Sequence, residues 1–315
     1  MARAFIYPGQ GSQAVGMGKA LHDAEPAARA VFEEVDEALG EKLSALMFEG
    51  DQETLTLTEN AQPALMAVSV AATRVLVDKL GRPLGELTDY VAGHSLGEYS
   101  ALTAAGALTI ADAARLLRLR GRAMQQAVPV GVGAMAAILG MELDAVRAVA
   151  QEAAGAEEVC AAANDNAPGQ VVVSGHKAAV ERALALAAER GSRRSIILPV
   201  SAPFHCALMQ PAAEAMAAAL AETAIARPAV PVVANVSAVA EEDPARIRQL
   251  LVEQVTGAVR WREGVLHMAA QGVGQFVELG AGKVLSGLVR RIERSLEAEA
   301  AGTPEEIEAL AQRLR

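Results

Sequence analysis

Apolar runs of strand length alternate along the chain with stretches whose apolar positions recur at helical spacing, and this alternation predicts an α/β fold. Residues 3–7 read as a first strand, closed by Pro8-Gly9-Gln10-Gly11-Ser12-Gln13. Helical periodicity follows over residues 26–39 and 61–80, where Gly81 supplies a stop. Tyr90-Val91-Ala92 is a short buried strand running into Gly93-His94-Ser95-Leu96-Gly97-Glu98, with a helix continuing to about Ala105. Thr109 is a good N-cap for a further helix that reaches about Val128.

The rhythm then changes. Residues 133–139 read as strand, 143–154 as helix and 159–163 as strand. Asn164-Asp165-Asn166-Ala167-Pro168-Gly169 reads as a turn cluster, followed by strand 171–174, helix 177–190 and strand 195–198. The order βαββαβ is that of a ferredoxin-like, split-βαβ unit. Residues 130–198 are therefore expected to form a small domain inserted into a larger α/β domain built from 1–129 and 199–315. The larger domain resumes with a helix after Met209, a strand at 232–235, helices around Ile247 and Val265, and a last core strand at 275–279. A polar helix ends the chain.

Composition narrows the class. Of 315 residues, 52 % are hydrophobic and 21 % charged, enough apolar content for a core and too much for a disordered chain. Residues 127–141 carry no charge, but glycines and a proline break them, and they fall short of the ~20 residues a bilayer requires. A net charge of −10 argues against nucleic acid as a partner. Cys160 and Cys206, the only cysteines, have no metal-ligand spacing. With Phe5-Ile6-Tyr7 so early and no signal-peptide pattern before it, the expectation is a soluble, cytoplasmic protein.

Gly93-His94-Ser95-Leu96-Gly97 fits G-x-S-x-G, a sharp strand-to-helix turn that exposes a nucleophilic serine. The bland reading of Ser95-Leu96-Gly97-Glu98 is a capping box. A nucleophile needs a base. His94 abuts the serine and is badly placed to serve it, while His22, His176 and His267 read as surface or packing residues. His205 lies in a loop after a strand end, where such chemistry sits. Asp112, Asp144 and Asp165 fall between Ser95 and His205, yet none has the context of a triad acid. At roughly 100° per residue, Arg115, Arg118 and Arg122 share one solvated face, whereas Arg120 falls among Ala113, Leu116, Leu117 and Met124. An arginine there is either paired internally or a fixed cation awaiting an anionic substrate group.

Taken together, Tyr7-Pro8-Gly9-Gln10-Gly11-Ser12-Gln13, Gly93-His94-Ser95-Leu96-Gly97-Glu98-Tyr99, Arg118-Leu119-Arg120-Gly121, Asn164-Asp165-Asn166-Ala167-Pro168-Gly169-Gln170, Pro203-Phe204-His205-Cys206 and Gly280-Ala281-Gly282-Lys283-Val284-Leu285 resemble the malonyl-CoA:acyl carrier protein transacylases, stand-alone bacterial type, from residue 5 to about residue 292. The resemblance implies a hydrolase-like core with a parallel sheet and a ferredoxin-like subdomain. It implies Ser95 as the acylated nucleophile, His205 as base and Gln254 as the residue whose backbone carbonyl orients the histidine. Gln10 and Leu96 would supply oxyanion-hole amides, and Arg120 would grip the malonyl carboxylate. Asn164 and Phe204 would be substrate-binding, Phe204 favouring malonyl over methylmalonyl groups. The implied partners are malonyl-CoA and an acidic, phosphopantetheinylated acyl carrier protein, with no cofactor or metal; a monomer is expected, because no long apolar stripe is left without an intramolecular use. Basic clusters at Arg190, Arg193 and Arg194 and at Lys283, Arg290 and Arg291 are the expected docking sites on an enzyme that is itself acidic. The rival reading on the same core is a serine esterase or thioesterase, in which a buried Arg120 has no clear use.

Overall fold

A computed structural model describes residues 2–200 and 202–315. Strand β1 (Ala2–Tyr7) enters the core with its last four residues buried. Helices α1 (Lys19–Ala24), α2 (Pro26–Leu39), α3 (Leu43–Glu49), α4 (Gln52–Thr56) and α5 (Thr58–Leu80) follow before β2 (Tyr90–Gly93). Helix α5 is buried without interruption from Ala61 to Thr73, as expected of a helix apolar all round and packed within the core. Helix α6 (Leu96–Ala104) leaves β2 directly, and α7 (Ile110–Gln126) starts on Thr109, whose hydroxyl accepts the Asp112 N–H.

The chain then builds β3 (Gly133–Leu139), α8 (Leu143–Ala154), β4 (Cys160–Ala167), β5 (Gln170–His176), α9 (Lys177–Glu189) and β6 (Arg194–Ile197). These strands form a separate antiparallel sheet in the order β4-β5-β3-β6, the ferredoxin-like arrangement. Helices α8 and α9 close its core around Val146, Val149, Val173 and Val180. Afterwards come α10 (Gln210–Ala221), β7 (Val232–Val233), β8 (Ala240–Glu241), α11 (Pro244–Thr256), α12 (Trp261–Ala270), β9 (Val273–Leu279), α13 (Val284–Ile292), β10 (Glu297–Ala301) and α14 (Pro304–Leu314). The large sheet runs β10-β9-β1-β2-β7-β8, parallel except for β8. Its register sets Tyr7 beside Gly93, so the loops after β1 and β2 leave the sheet side by side. The carboxyl ends of parallel strands are where such sheets place ligands. Among the described residues no helix is long and apolar enough to cross a membrane.

Three local expectations change. The run from Asn164 to Ala167 is strand, not turn, and only Pro168 and Gly169 turn the chain. Its polar side chains suggest a loop, but its backbone pairs with β5 in a bulged register and is bridged on its other edge by Val259. Asp165 N–H donates to Val259 O at 2.9 Å, and Val259 N–H donates to Ala163 O at 2.8 Å. Strand β10, made of glutamates and alanines, carries no β-branched signal and forms because β9 offers it a parallel edge. Arg118 is not on a solvated stripe: it is buried against Asn60, Glu41 and Glu59.

Candidate active site

Ser95 stands between β2 and α6 with φ 53° and ψ −111°, a conformation L-residues seldom adopt. The flanking glycines make this turn possible. A Cβ on Gly93 would lie 1.9 Å from the Gly97 carbonyl, and one on Gly97 would lie 2.3 Å from Tyr7 O. The capping-box reading fails here, because the Ser95 side chain caps nothing in α6. Its backbone N–H is instead taken by Asn235 Oδ1 at 2.7 Å, and Asn235 Nδ2 donates to Gly93 O at 2.7 Å. Asn235 thus pins both sides of the elbow. Gly97→Ala should cost at least the ~1–3 kcal/mol typical of overpacking, since the obstacle is core backbone. A lowered melting temperature together with impaired acylation is expected; a variant of wild-type stability and activity would contradict the tight-turn argument.

His205 meets the serine from the loop before α10, itself at φ 59°. Ser95 Oγ lies 2.8 Å from His205 Nε2. The other ring nitrogen, Nδ1, faces two carbonyls, Gln254 O at 2.9 Å and Gly257 O at 3.2 Å. Carbonyls only accept, so Nδ1 carries the hydrogen and Nε2 offers its lone pair to the serine hydroxyl. Where a triad acid would stand, the ring meets two neutral carbonyls. None of the interval aspartates bonds to His205: Asp112 accepts the hydroxyl of the cap residue Thr109, Asp144 pairs with Arg147, and Asp165 is buried against Arg262. Burial, and then the nearby Arg120 cation, push the His205 imidazole down to about 3, so it is neutral and its Nε2 lone pair faces the serine hydroxyl.

Arg120 projects from α7 into the site and is 1 % exposed. Its guanidinium donates to Gln62 Oε1 at 2.7 Å, Gln254 Oε1 at 2.8 Å and Ser95 Oγ at 3.1 Å. All three acceptors are neutral, and Nε has no partner. The helical-wheel position is legible in the sequence; the partners are not, because Gln62 reads as an ordinary polar residue and Gln254 is expected to act through its backbone carbonyl, not its side chain. Glu98 and Asn235 were missed as site residues for the same reason. Glu98 Oε2 accepts the Asn235 N–H and Gln254 Nε2, each at 2.9 Å.

Gln10, Leu96, Asn164, Phe204 and His205 line, with Ser95 and Arg120, one cavity of about 390 Å³. Leu96 opens α6, so its N–H lacks an acceptor within the helix. Gln10, just beyond β1, is held through its side chain by the Thr58 hydroxyl at 2.9 Å. Asn164 comes from β4 and Phe204 from the loop carrying the base. His94 points toward β4, where its Nε2 lies 2.8 Å from Asn166 Oδ1.

Fold and site define an α/β enzyme in which a serine on a strained strand-to-helix turn meets a carbonyl-bonded histidine, with a buried arginine beside them. The family described as "Acyl transferase domain" matches residues 4–311, and the chain belongs to that family. It is 48 % identical over 312 residues to the malonyl CoA-acyl carrier protein transacylase of Bacillus subtilis (strain 168), covering 99 % of this chain and 97 % of that one. Identity to the protein of the same description from Escherichia coli (strain K12) is 48 % over 301 residues, 96 % of each chain. The crystal structure of acyl-carrier-protein-S-malonyltransferase from Bartonella henselae superposes with a TM-score of 0.97 at 55 % identity, covering 100 % of this chain and 99 % of that one. A malonyl-transacylase solved in complex with a type II polyketide acyl-carrier protein matches with a TM-score of 0.95 at 42 % identity, covering 99 % of this chain and 100 % of that one.

Proposed function

We propose that this chain transfers a malonyl group from malonyl-CoA to the phosphopantetheine thiol of acyl carrier protein, by a ping-pong route through malonyl-Ser95. The observation that carries this reading is Arg120, a buried guanidinium 3.1 Å from the nucleophile with no carboxylate in direct contact. His205 Nε2 takes the Ser95 proton as Oγ attacks the thioester carbonyl. The backbone N–H groups of Leu96 and Gln10 receive the oxyanion, and the Gln254 and Gly257 carbonyls hold the imidazolium that forms. Collapse of the tetrahedral adduct breaks the C–S bond, and the CoA sulfur leaves with the proton from His205. The carrier thiol then runs the same steps in reverse. Arg120 holds the malonyl carboxylate throughout, while Asn164 and Phe204 line the acyl pocket. In this reading residues 1–129 and 199–315 supply the nucleophile, base and arginine, and residues 130–198 close the cavity from above. A cytoplasmic setting accords with these intracellular thioester substrates.

Intact-mass measurement tests the proposal. Malonyl-CoA should add one malonyl group to the protein, and added holo-carrier should remove it onto its own thiol. An adduct that decays equally fast in water without carrier would favour the esterase reading.

Docking of an acidic carrier needs local basic charge on this acidic chain. The β4–β5 turn brings the two expected clusters together. Arg193 packs against Gly140, Gly140 N–H donates to Gly169 O, and Arg291 donates to Gln170 Oε1 at 3.0 Å. Reversing Arg193 and Arg291 to glutamate should raise the carrier KM and flatten its salt dependence, with less effect on malonyl-CoA. Unchanged carrier kinetics would remove this surface from consideration.

A further inference from the structure

A buried guanidinium surrounded only by neutral acceptors is costly unless an opposite charge stands close by. Glu98 supplies it. This glutamate of α6 is 2 % exposed and does not touch Arg120, but one side chain joins the two. Gln254 accepts from Arg120 on Oε1 at 2.8 Å and donates from Nε2 to Glu98 Oε2 at 2.9 Å. The amide dipole is thus aligned between cation and anion. The other titratable neighbours are neutral. Tyr99, next to Glu98, and Tyr7 on β1 are both held as phenols by burial. The His205 and His94 imidazoles, across Ser95, are both lowered by burial. Helix α5 contributes Gln62, α11 contributes Gln254, and the end of β7 contributes Asn235, all uncharged. The empty site therefore balances one positive charge against one negative.

We propose that Glu98 is the standing counter-charge of Arg120, and that it takes up a proton from solvent when the carboxylate of a malonyl group occupies that arginine. Two carboxylates facing one guanidinium in a dry site cannot both stay ionised cheaply. Glu98 is already poised for the change. Burial lifts it to about 7, against the opposing pull of the Asn235 N–H, the Gln254 amide and Arg120. Loading with malonyl then consumes a proton, and loading with acetyl does not. The sign follows from linkage: the loaded enzyme binds more protons than the empty one, so malonyl loading weakens as pH rises above about 7.

The inference rests on Arg120 as the seat of the malonyl carboxylate. The test is proton uptake in lightly buffered indicator dye near pH 7.5, with malonyl-CoA and with acetyl-CoA, each scaled to the acyl-enzyme fraction from intact mass. Subtracting acetyl from malonyl removes the thiol and ester chemistry common to both. About half a proton or more should remain for the wild type, and less than about a tenth for Glu98→Gln. Equal uptake from the two donors, or a difference that survives in Glu98→Gln, overturns the proposal. Should that variant not fold, the wild type still decides. Its ratio of malonyl to acetyl loading constants should fall at least about threefold between roughly pH 7 and pH 8.5, and a flat ratio overturns the idea. If instead Arg120 is not the carboxylate seat, Arg120→Ala leaves the malonyl preference unchanged as well. Failure at Glu98 alone leaves that shift of preference intact.

Discussion

Ser95→Ala should show no acyl adduct after malonyl-CoA, and His205→Ala should slow transfer by several orders of magnitude. The geometry explains why both effects are large. Among the described residues the serine hydroxyl meets one imidazole, His205 Nε2 at 2.8 Å, and that ring is fixed in one tautomer by two carbonyls. General-base assistance by a positioned histidine contributes roughly 10²–10⁴-fold. Loss of the imidazole also removes the proton donor for the leaving thiol, so both half-reactions suffer. Arg120, donating to Ser95 Oγ at 3.1 Å, can stabilise a developing alkoxide but cannot accept its proton. Residues that act as a unit are non-additive, so the double variant should be little worse than either single one. Intact mass and single-turnover transfer measure these outcomes. Near wild-type labelling of Ser95→Ala would falsify the nucleophile assignment.

Arg120→Ala should shift acyl preference by about 10- to 150-fold away from malonyl and toward acetyl. A charge-assisted pair contributes roughly 1.5–3 kcal/mol, which is that range in kcat/KM when fully felt in the transition state. Burial on α7 excludes competing water and strengthens the pair. The ratio of the two donors is the proper readout, because the variant also strands the Gln62 and Gln254 oxygens and removes the counter-charge of Glu98. Stability should therefore fall as well, but equally for both assays. Arg120→Lys should rescue poorly, since a point charge cannot span Gln62, Gln254 and a substrate carboxylate as a planar fork does. If malonyl and acetyl transfer drop together by the same factor, Arg120 is a structural arginine and the substrate assignment loses its main support.

Local patterning by itself determined most of the framework. Strand β3 and helices α2 and α8 occur at the residues their periodicity marks, and the order βαββαβ in residues 130–198 defines the second sheet. The elbow around Ser95 and the inward side of α7 that carries Arg120 were legible too, because each depends on neighbours within one turn of the chain. What lay beyond the sequence depends on partners brought from far away. Asn164 to Ala167 is strand because β5 pairs with it and Val259 bridges its other edge, and β10 forms where β9 offers it an edge. Arg118 is buried because Asn60 and Glu59 of α5 and Glu41 of the turn after α2 reach it. The same holds within the site. Gln62, Glu98 and Asn235 look like ordinary polar residues until the fold joins them, through the Gln254 side chain, to one guanidinium. Periodicity reports which way a side chain faces, because that is set by backbone geometry within a single element. Which group it meets there is set by the packing of elements distant in sequence, and only the tertiary structure decides it.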